Sequence, residues 1–296
     1  SNSSKKKHYY RLLSEFMLQQ TQVKTVIPFF NNFVKKIPNL KALSQAKEHT
    51  ILKLWEGLGF YRRAKNLHKS SKILIKKYKG KIPSNFEQLK ELPGIGEYTA
   101  NILLALIYNQ PRIGIDGNVK RVLFRLFNSE DLDNAILFKT DRNSDLAEAL
   151  MEFGALICRP KEPKCSECHI KKICSYYKLK PKIKIKKKIE IKLKSYDIFC
   201  YLKKDKKQIA LTKNNSLSFL KKFNLPKVKV RSKINRNWKF LCNYKNSISN
   251  KKLNINLYYK FSSRIPPKYN WYSINKNKEF IPTFTKKIFK QITHLY

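Results

Sequence analysis

The chain has 296 residues, room for two domains of ordinary size, and carries 64 Lys and Arg against 20 Asp and Glu, a formal net charge of +44. That balance points to a polyanionic partner, although a Lys, Asn and Ile excess is also what an AT-rich genome would encode. The sequence has no run of about 18 apolar residues and no signal-peptide core, which argues against a membrane-spanning helix. A soluble, cytoplasmic protein is expected, with six Cys that need a role in a reducing compartment. The first residue is Ser1 and not Met, as expected of part of a longer translation product.

Residues 1–7 read as a disordered basic lead. Over residues 9–27 the pattern is helical, with Leu12, Leu13, Phe16 and Val23 available for burial and Glu15, Gln19 and Gln22 on one polar stripe. A solvated helix face would give the same stripe. Two further helices are predicted over 41–56 and 63–77. Between them, GLGFYRRAKNLH opens a glycine-containing loop that sets Phe60 and Tyr61 beside Arg62 and Arg63. Aromatics beside cations suit contacts to bases and phosphates, while buried aromatics are the commoner case. Ser84 with Glu87 forms a capping-box pattern for a short helix.

Next comes LPGIGEYTANILLALIYNQPRIGIDGN, residues 92–118. Pro93, Gly94 and Gly96 make a tight turn between two helices, a helix-hairpin-helix pattern. Its glycines let the backbone approach another molecule, and its N–H groups at a helix start suit a phosphate oxygen. About one helix later stands Asp116, which on local grounds reads equally as the N-cap of a helix over 118–127. A polar segment to about residue 144 and a helix over 145–157 complete a nearly all-helical N-terminal domain.

Cys158, Cys165, Cys168 and Cys174 then arrive as a C-x6-C-x2-C-x5-C array among basic residues. Four thiolates so close together make a metal site. Zinc is the generic occupant, yet only one C-x2-C knuckle is present, and an iron-sulfur cluster also takes four thiolates. Cys200 and Cys242 read as ordinary thiols. Residues 178–194, KLKPKIKIKKKIEIKLK, are a linker by charge. Beyond it a β-hairpin is predicted over 195–212 about the tip KKDKK, a strand over 253–261 and a last helix over 285–295, so the second domain is α+β.

The hairpin followed by Asp116 resembles the helix-hairpin-helix superfamily of base-excision DNA glycosylases, and the cysteine spacing resembles the four-iron four-sulfur loop of its endonuclease III and MutY branches. LSEFMLQQTQVKTVIPFF, residues 13–30, with GLGFYRRAKNLH and IDGNVKR, extends the resemblance to the MutY family of adenine DNA glycosylases over nearly the whole chain. The resemblance implies a mainly α glycosylase domain with a cluster loop over residues 1–177, a basic linker over 178–194 and a MutT-like α+β domain over 195–296.

It also implies catalytic roles for Glu15 and Asp116. Glu15 would protonate the adenine ring, helped by an apolar setting that keeps its carboxyl protonated, and Asp116 would stay ionised and stabilise the oxocarbenium-like sugar. Tyr98, Asn118 and Glu148 would form the adenine pocket. Gln20 and Phe60 would wedge into the base stack, Phe60 standing where the family usually has Tyr. Gly94 and Gly96 would contact DNA phosphate, Ser249 would recognise 8-oxoguanine, and Cys158, Cys165, Cys168 and Cys174 would hold one 4Fe-4S cluster.

The expected partner is double-stranded DNA containing adenine opposite 8-oxoguanine or guanine, bound by a monomer in the bacterial cytosol at the nucleoid. Endonuclease III would need a Lys two residues after Gly96, for a Schiff base; that residue is Tyr98, which implies a monofunctional enzyme. Three departures from the family stand out. No L-P-W-R segment precedes Glu15, the stretch between Phe127 and Asp145 is short, and the recognition loop keeps only Ser249, flanked by Ile248 and Asn250. They leave open a decayed DNA-binding relative with little or no catalysis. Other readings are an endonuclease III-like pyrimidine glycosylase and a zinc-stabilised DNA-binding module.

Overall fold

In the computed structural model the chain is described at residues 2–129, 140–179, 193–214, 217, 220, 223–230, 235–248, 251–275 and 280–296. They fall into two units, one of Ser1–Ile51 with Tyr61–Lys186, the other of Leu52–Phe60 with Lys187–Tyr296. The boundary falls within the basic stretch read as a linker. Of that stretch, residues 180–192 lie outside the described residues, and its two ends belong to regular elements.

The first unit is helical. Helix α1 spans Asn2–Leu18 and so begins inside the segment expected to be a disordered lead. Its apolar residues Tyr9, Leu12, Leu13, Phe16 and Met17 are all buried, and tertiary burial of such a stripe is what stabilises a helix of ordinary propensity. Each fully buried Leu or Phe contributes about 1.5–3 kcal/mol. The single helix predicted over 9–27 is two, because the chain turns at residues 19–22 before α2 (Val23–Lys36). The helix predicted over 41–56 likewise divides into α3 (Leu40–Gln45) and α4 (Glu48–Leu54), where Ala46 takes an extended ψ of 147°.

Helix α5 (Arg62–Tyr78) runs to a left-handed Lys79. The short α6 (Phe86–Lys90) is capped by Asn85, whose side chain accepts from the Gln88 N–H at 3.1 Å, and not by Ser84 as the capping-box pattern suggested. Helices α7 (Glu97–Tyr108), α8 (Gly117–Phe127), α9 (Asn143–Leu156) and α10 (Ser175–Leu179) follow. α1 packs on α2, α5 and α7, and α9 packs on α7 and α8. This second packing buries Ile102, Ala105 and Ala147 together and Ile113, Val119 and Leu123 together.

The second unit is built on a sheet of β1 (Leu193–Lys203), β2 (Gln208–Leu211), β3 (Lys227–Lys229), β4 (Lys239–Ile248), β5 (Lys251–Phe261) and β6 (Asn270–Ser273). The order is β4-β5-β1-β2-β6, with β3 also paired to β1; β1 and β5 are parallel and the other pairings antiparallel. The predicted hairpin, strand and closing helix are present as β1–β2, β5 and α11 (Thr283–Ile292). On β1, Ile198, Cys200 and Leu202 alternate with Phe199 and Tyr201, and both sets are buried, the aromatic pair against Trp238. Covered on both faces, β1 shows less apolar–polar alternation than a half-buried strand. Burial pushes the Cys200 thiol far above its usual range, as suits the inert thiol expected there.

Candidate active site

The site grows from the end of α1. Arg63, in the first turn of α5, is buried, and its Nη1 donates to the carbonyls of Phe16 at 3.3 Å, Met17 at 2.7 Å and Gln19. These are carbonyls that the end of a helix leaves without partners, and a cation there also meets the negative end of the helix dipole. Burial draws the guanidinium down to about 10, which leaves it charged at neutral pH. Arg63 and the equally buried Tyr61 are therefore structural, not the exposed base and phosphate contacts that the loop composition suggested. Beyond this cap Gln20 is exposed and left-handed at φ 58°. Phe60, 38% exposed, is also left-handed at φ 46°, and belongs to the segment grouped with the second unit.

The turn between α6 and α7 is fixed from two sides. Ser70 Oγ donates to the Pro93 carbonyl at 2.8 Å, and Gln19 Nε2 donates to the Gly94 carbonyl at 3.2 Å. Gly94 has φ +87°, and a Cβ there would lie 2.8 Å from both Asn66 Cβ and Phe16 Cε1, so the position excludes a side chain for conformational and steric reasons together. Gly96 is the extended N-cap of α7, and a Cβ on it would meet open space. The α7 N-terminus thus presents N–H groups at an open surface.

Glu15 is buried on the last turns of α1, only 7% exposed. Its carboxyl is pushed up to about 7, mainly by burial; Arg11 opposes the rise and Glu148 adds to it. Arg11 Nη1 donates to Glu148 Oε1 across α1 and α9, a half-exposed ion pair. Tyr98, on the first turn of α7, has its phenol raised by burial and then by the negative fields of Glu15 and Asp116. Its hydroxyl donates to Met151 Sδ on α9 at 3.3 Å, and Gly114 is small because a Cβ there would come within 2.9 Å of the Tyr98 ring.

Asp116 caps α8. Its Oδ1 accepts from the N–H groups of Asn118 at 2.8 Å and Val119 at 2.7 Å, and its Oδ2 from Asn118 Nδ2 at 3.2 Å. The local reading as an N-cap therefore holds, and it holds together with a field exerted on Tyr98. Glu15, Tyr98, Asp116, Asn118 and Glu148 thus converge through direct contacts or mutual fields. Ser249 lies outside the described residues.

Three arginines escaped the sequence reading. Arg11 stands one helical turn before Glu15, a spacing that could have flagged it. Arg121 donates to Asn118 Oδ1 at 2.9 Å, to the Gly154 carbonyl at 2.6 Å and to the Cys158 carbonyl at 2.8 Å, joining the Asp116 cap to the start of the cysteine loop. One turn on, Arg125 donates to Cys158 Sγ at 3.4 Å and to the carbonyls of Arg159 at 2.7 Å and Pro160 at 3.1 Å. The signal was the pair of Arg four residues apart in NVKRVLFRLF, facing a loop rich in carbonyls.

The four thiols of Cys158, Cys165, Cys168 and Cys174 line one cavity with Leu126 and Ile157. The Cys165 thiol is raised by burial and then by the fields of the other three, as four converging sulfurs require. Among the described residues no set of three or more His, Cys, Asp or Glu is arranged to hold a single metal ion. Four soft sulfur donors around an apolar-walled space fit the iron-sulfur chemistry implied by their spacing.

The chain is similar to known proteins over much of this helical part. Residues 13–148 match the HhH-GPD superfamily base excision DNA repair protein model. An adenine DNA glycosylase of Buchnera aphidicola subsp. Baizongia pistaciae is 42% identical over 184 residues, 58% of this chain and 52% of that protein. The Schizosaccharomyces pombe adenine DNA glycosylase is 39% identical over 57% of this chain and 40% of its own length, and the human one 34% identical over 55% and 32%. The matched region thus spans about half the length of the bacterial relative and less of the others. Among solved structures, a thermostable thymine-DNA glycosylase superposes with a TM-score of 0.52 at 28% identity, covering 59% of this chain and 86% of that one. A trapped endonuclease III–DNA covalent intermediate shares the fold at 23% identity and a TM-score of 0.50, over 57% of this chain and 84% of that one. Over residues 13–148 the chain matches the HhH-GPD superfamily of base excision DNA repair proteins, and it is similar to adenine DNA glycosylases over somewhat more than half of its length.

Proposed function

We propose that the protein is a monofunctional adenine DNA glycosylase that removes adenine mispaired with 8-oxoguanine or guanine from double-stranded DNA. The observation that carries this reading is the pair of unlike carboxyl groups around Tyr98: Glu15 buried and raised to about 7, Asp116 held by backbone N–H groups at a helix start. Adenine leaves poorly as an anion. Glu15 gives its proton to ring N7 of the flipped-out base as the C1′–N9 bond breaks, and the bonding electron pair passes to N9. Asp116 stabilises the positive charge that develops on the sugar, water adds at C1′ to give the abasic site, and the proton it sheds restores the Glu15 carboxyl, directly or through solvent. Because Tyr98 has no amine, no imine forms and the strand is left intact.

Around this chemistry Asn118 orients Asp116, Glu148 meets the adenine edge, Gln20 and Phe60 fill the space left by base flipping, and the Gly94–Gly96 turn grips phosphate. Cys158, Cys165, Cys168 and Cys174 would hold one 4Fe-4S cluster, whose contribution is to staple a basic loop rather than to react. The second unit, with Ser249, serves as the 8-oxoguanine-recognition domain of a monomeric enzyme.

Single-turnover cleavage of duplexes with adenine opposite 8-oxoguanine or guanine, with half of each sample treated with alkali, tests the reading. Strand breaks that depend on alkali, formed faster opposite 8-oxoguanine, are the expected result. Breaks without alkali would overturn the monofunctional assignment. Tight binding with no breaks would replace the enzyme by a DNA-binding relative.

A further inference from the structure

The notable group at the site is the cation beside its buried acid. Arg11 lies four residues before Glu15, so the two side chains rise from one face of α1. The Arg11 guanidinium crosses to α9 and donates to one oxygen of Glu148. Both partners are about two-fifths exposed, so neither is needed to fill the core. The charged groups that act on Glu15 come from two elements, Arg11 on α1 and Glu148 on α9, and Glu15 in turn acts with Asp116 on Tyr98 of α7.

We propose that Arg11 is a positioning residue of this site: by engaging Glu148 across α1 and α9 it fixes that carboxylate and governs the acid at Glu15, one helical turn further along. The inference rests on the reading of Glu15 as the acid. The physical argument is one of competing fields. Burial favours the neutral form of the Glu15 carboxyl, and an ionised Glu148 nearby favours it further. Left alone, these two effects would hold the Glu15 proton to higher pH. Arg11 acts against both. Its charge favours the ionised form of Glu15, and by pairing with Glu148 it offsets the repulsion that carboxylate exerts. The result is a carboxyl poised near 7, where proton retention and proton donation balance best. The pair also occupies one oxygen of Glu148, leaving the other to accept from a base amino group.

The test is a carboxyl titration of the full chain, labelled with 13C-glutamate, with the Glu15 resonance assigned by its loss in Glu15→Gln. Arg11→Met should move the Glu15 midpoint upward by about one pH unit, the low end for an opposite charge at a partly solvated site. Glu148→Gln should move it downward, and Arg11→Lys should keep it near the parent value. Opposite shifts from the two neighbours are something a merely structural Arg11 would not produce. An unchanged midpoint in Arg11→Met would overturn the inference, and so would an upward shift in Glu148→Gln. With adenine-containing duplex, the alkaline limb of single-turnover excision should rise with the midpoint in Arg11→Met. A parent protein that released no adenine would sink the proposed function, while the titration would still decide the role of Arg11.

Discussion

Glu15 should weaken the fold it belongs to, by an amount that depends on pH. In the unfolded chain its carboxyl has its ordinary value of 4.5, and in the folded protein burial raises it to about 7. Below 4.5 both states hold the proton and the group is neutral towards stability. Between 4.5 and 7 the unfolded chain releases its proton while the folded protein keeps it, so stability falls as pH rises. Above 7 both are ionised and the loss is complete. A rise of about 2.5 units at about 1.36 kcal/mol each gives a penalty of about 3 kcal/mol at pH 8. Glu15→Gln has nothing to titrate there and keeps hydrogen-bonding capacity. Its stability advantage over the parent should therefore open between pH 4.5 and 7 and level off near 3 kcal/mol. Urea unfolding followed by helical circular dichroism at pH 4.5, 6 and 8 measures it directly. A gap of the same size at all three pH values would refute the argument, because a constant difference reports shape or hydrogen bonding and not a buried charge.

On the proposed reading Asp116 serves the helix and the chemistry at once, and Asn and Ala should separate the two: Asp116→Asn should keep an N-cap and lose excision, while Asp116→Ala should lose excision and about 1 kcal/mol of stability as well, by single-turnover kinetics and urea melts. Gly94→Ala must place a Cβ 2.8 Å from Phe16 and Asn66 at φ +87°, so about 2 kcal/mol of destabilisation and weaker duplex binding are expected in melts and gel shifts. Tyr98→Lys puts an amine within reach of the abasic sugar, and borohydride should trap a protein–DNA adduct that the parent does not form; a trapped adduct on the parent would overturn the monofunctional reading. Arg63→Met removes the guanidinium that donates to the carbonyls of Phe16, Met17 and Gln19, and an expected loss of about 2–3 kcal/mol should appear in urea unfolding.

Much of the helical unit was legible because its signals are local. The apolar period of α1, the glycine turn before α7 and the Asp at the start of α8 each depend on neighbours within a few residues. The breaks were harder to see. The turn after Leu18 comes with a guanidinium more than forty residues away, and nothing in LQQTQV announces it. The same holds for Arg11 and Arg121, whose partners lie on α9 and in the cysteine loop. In the second unit, β1 could be found from the hairpin about its polar tip and β5 from its alternation, but β4, with Asn243, Tyr244, Lys245 and Asn246 in its middle, carries no such signal and is a strand through its pairing with β5.

The two carboxyl groups that carry the proposed chemistry were both ambiguous in the sequence, Asp116 as an N-cap and Glu15 as part of a polar stripe, but they differ in what the fold does to them. Asp116 sits where any helix would take an Asp: two N–H groups donate to Oδ1, Asn118 donates to Oδ2, and the helix N-terminus favours negative charge. Function at that position costs the fold nothing, so no local feature could tell a catalytic Asp from an ordinary cap. Glu15 is the opposite case. A carboxyl among Leu13, Phe16 and Met17 on the buried side of α1 has no structural purpose that a Leu would not serve better. A residue the fold tolerates at a cost of a few kcal/mol is evidence of a task, and the task is bounded by what a neutral carboxyl can do that a carboxylate cannot, which is to give up a proton. On the proposed reading the pair divides accordingly: Asp116, which caps its helix, stands by the sugar, and Glu15, which the fold buries at a cost, stands by the base.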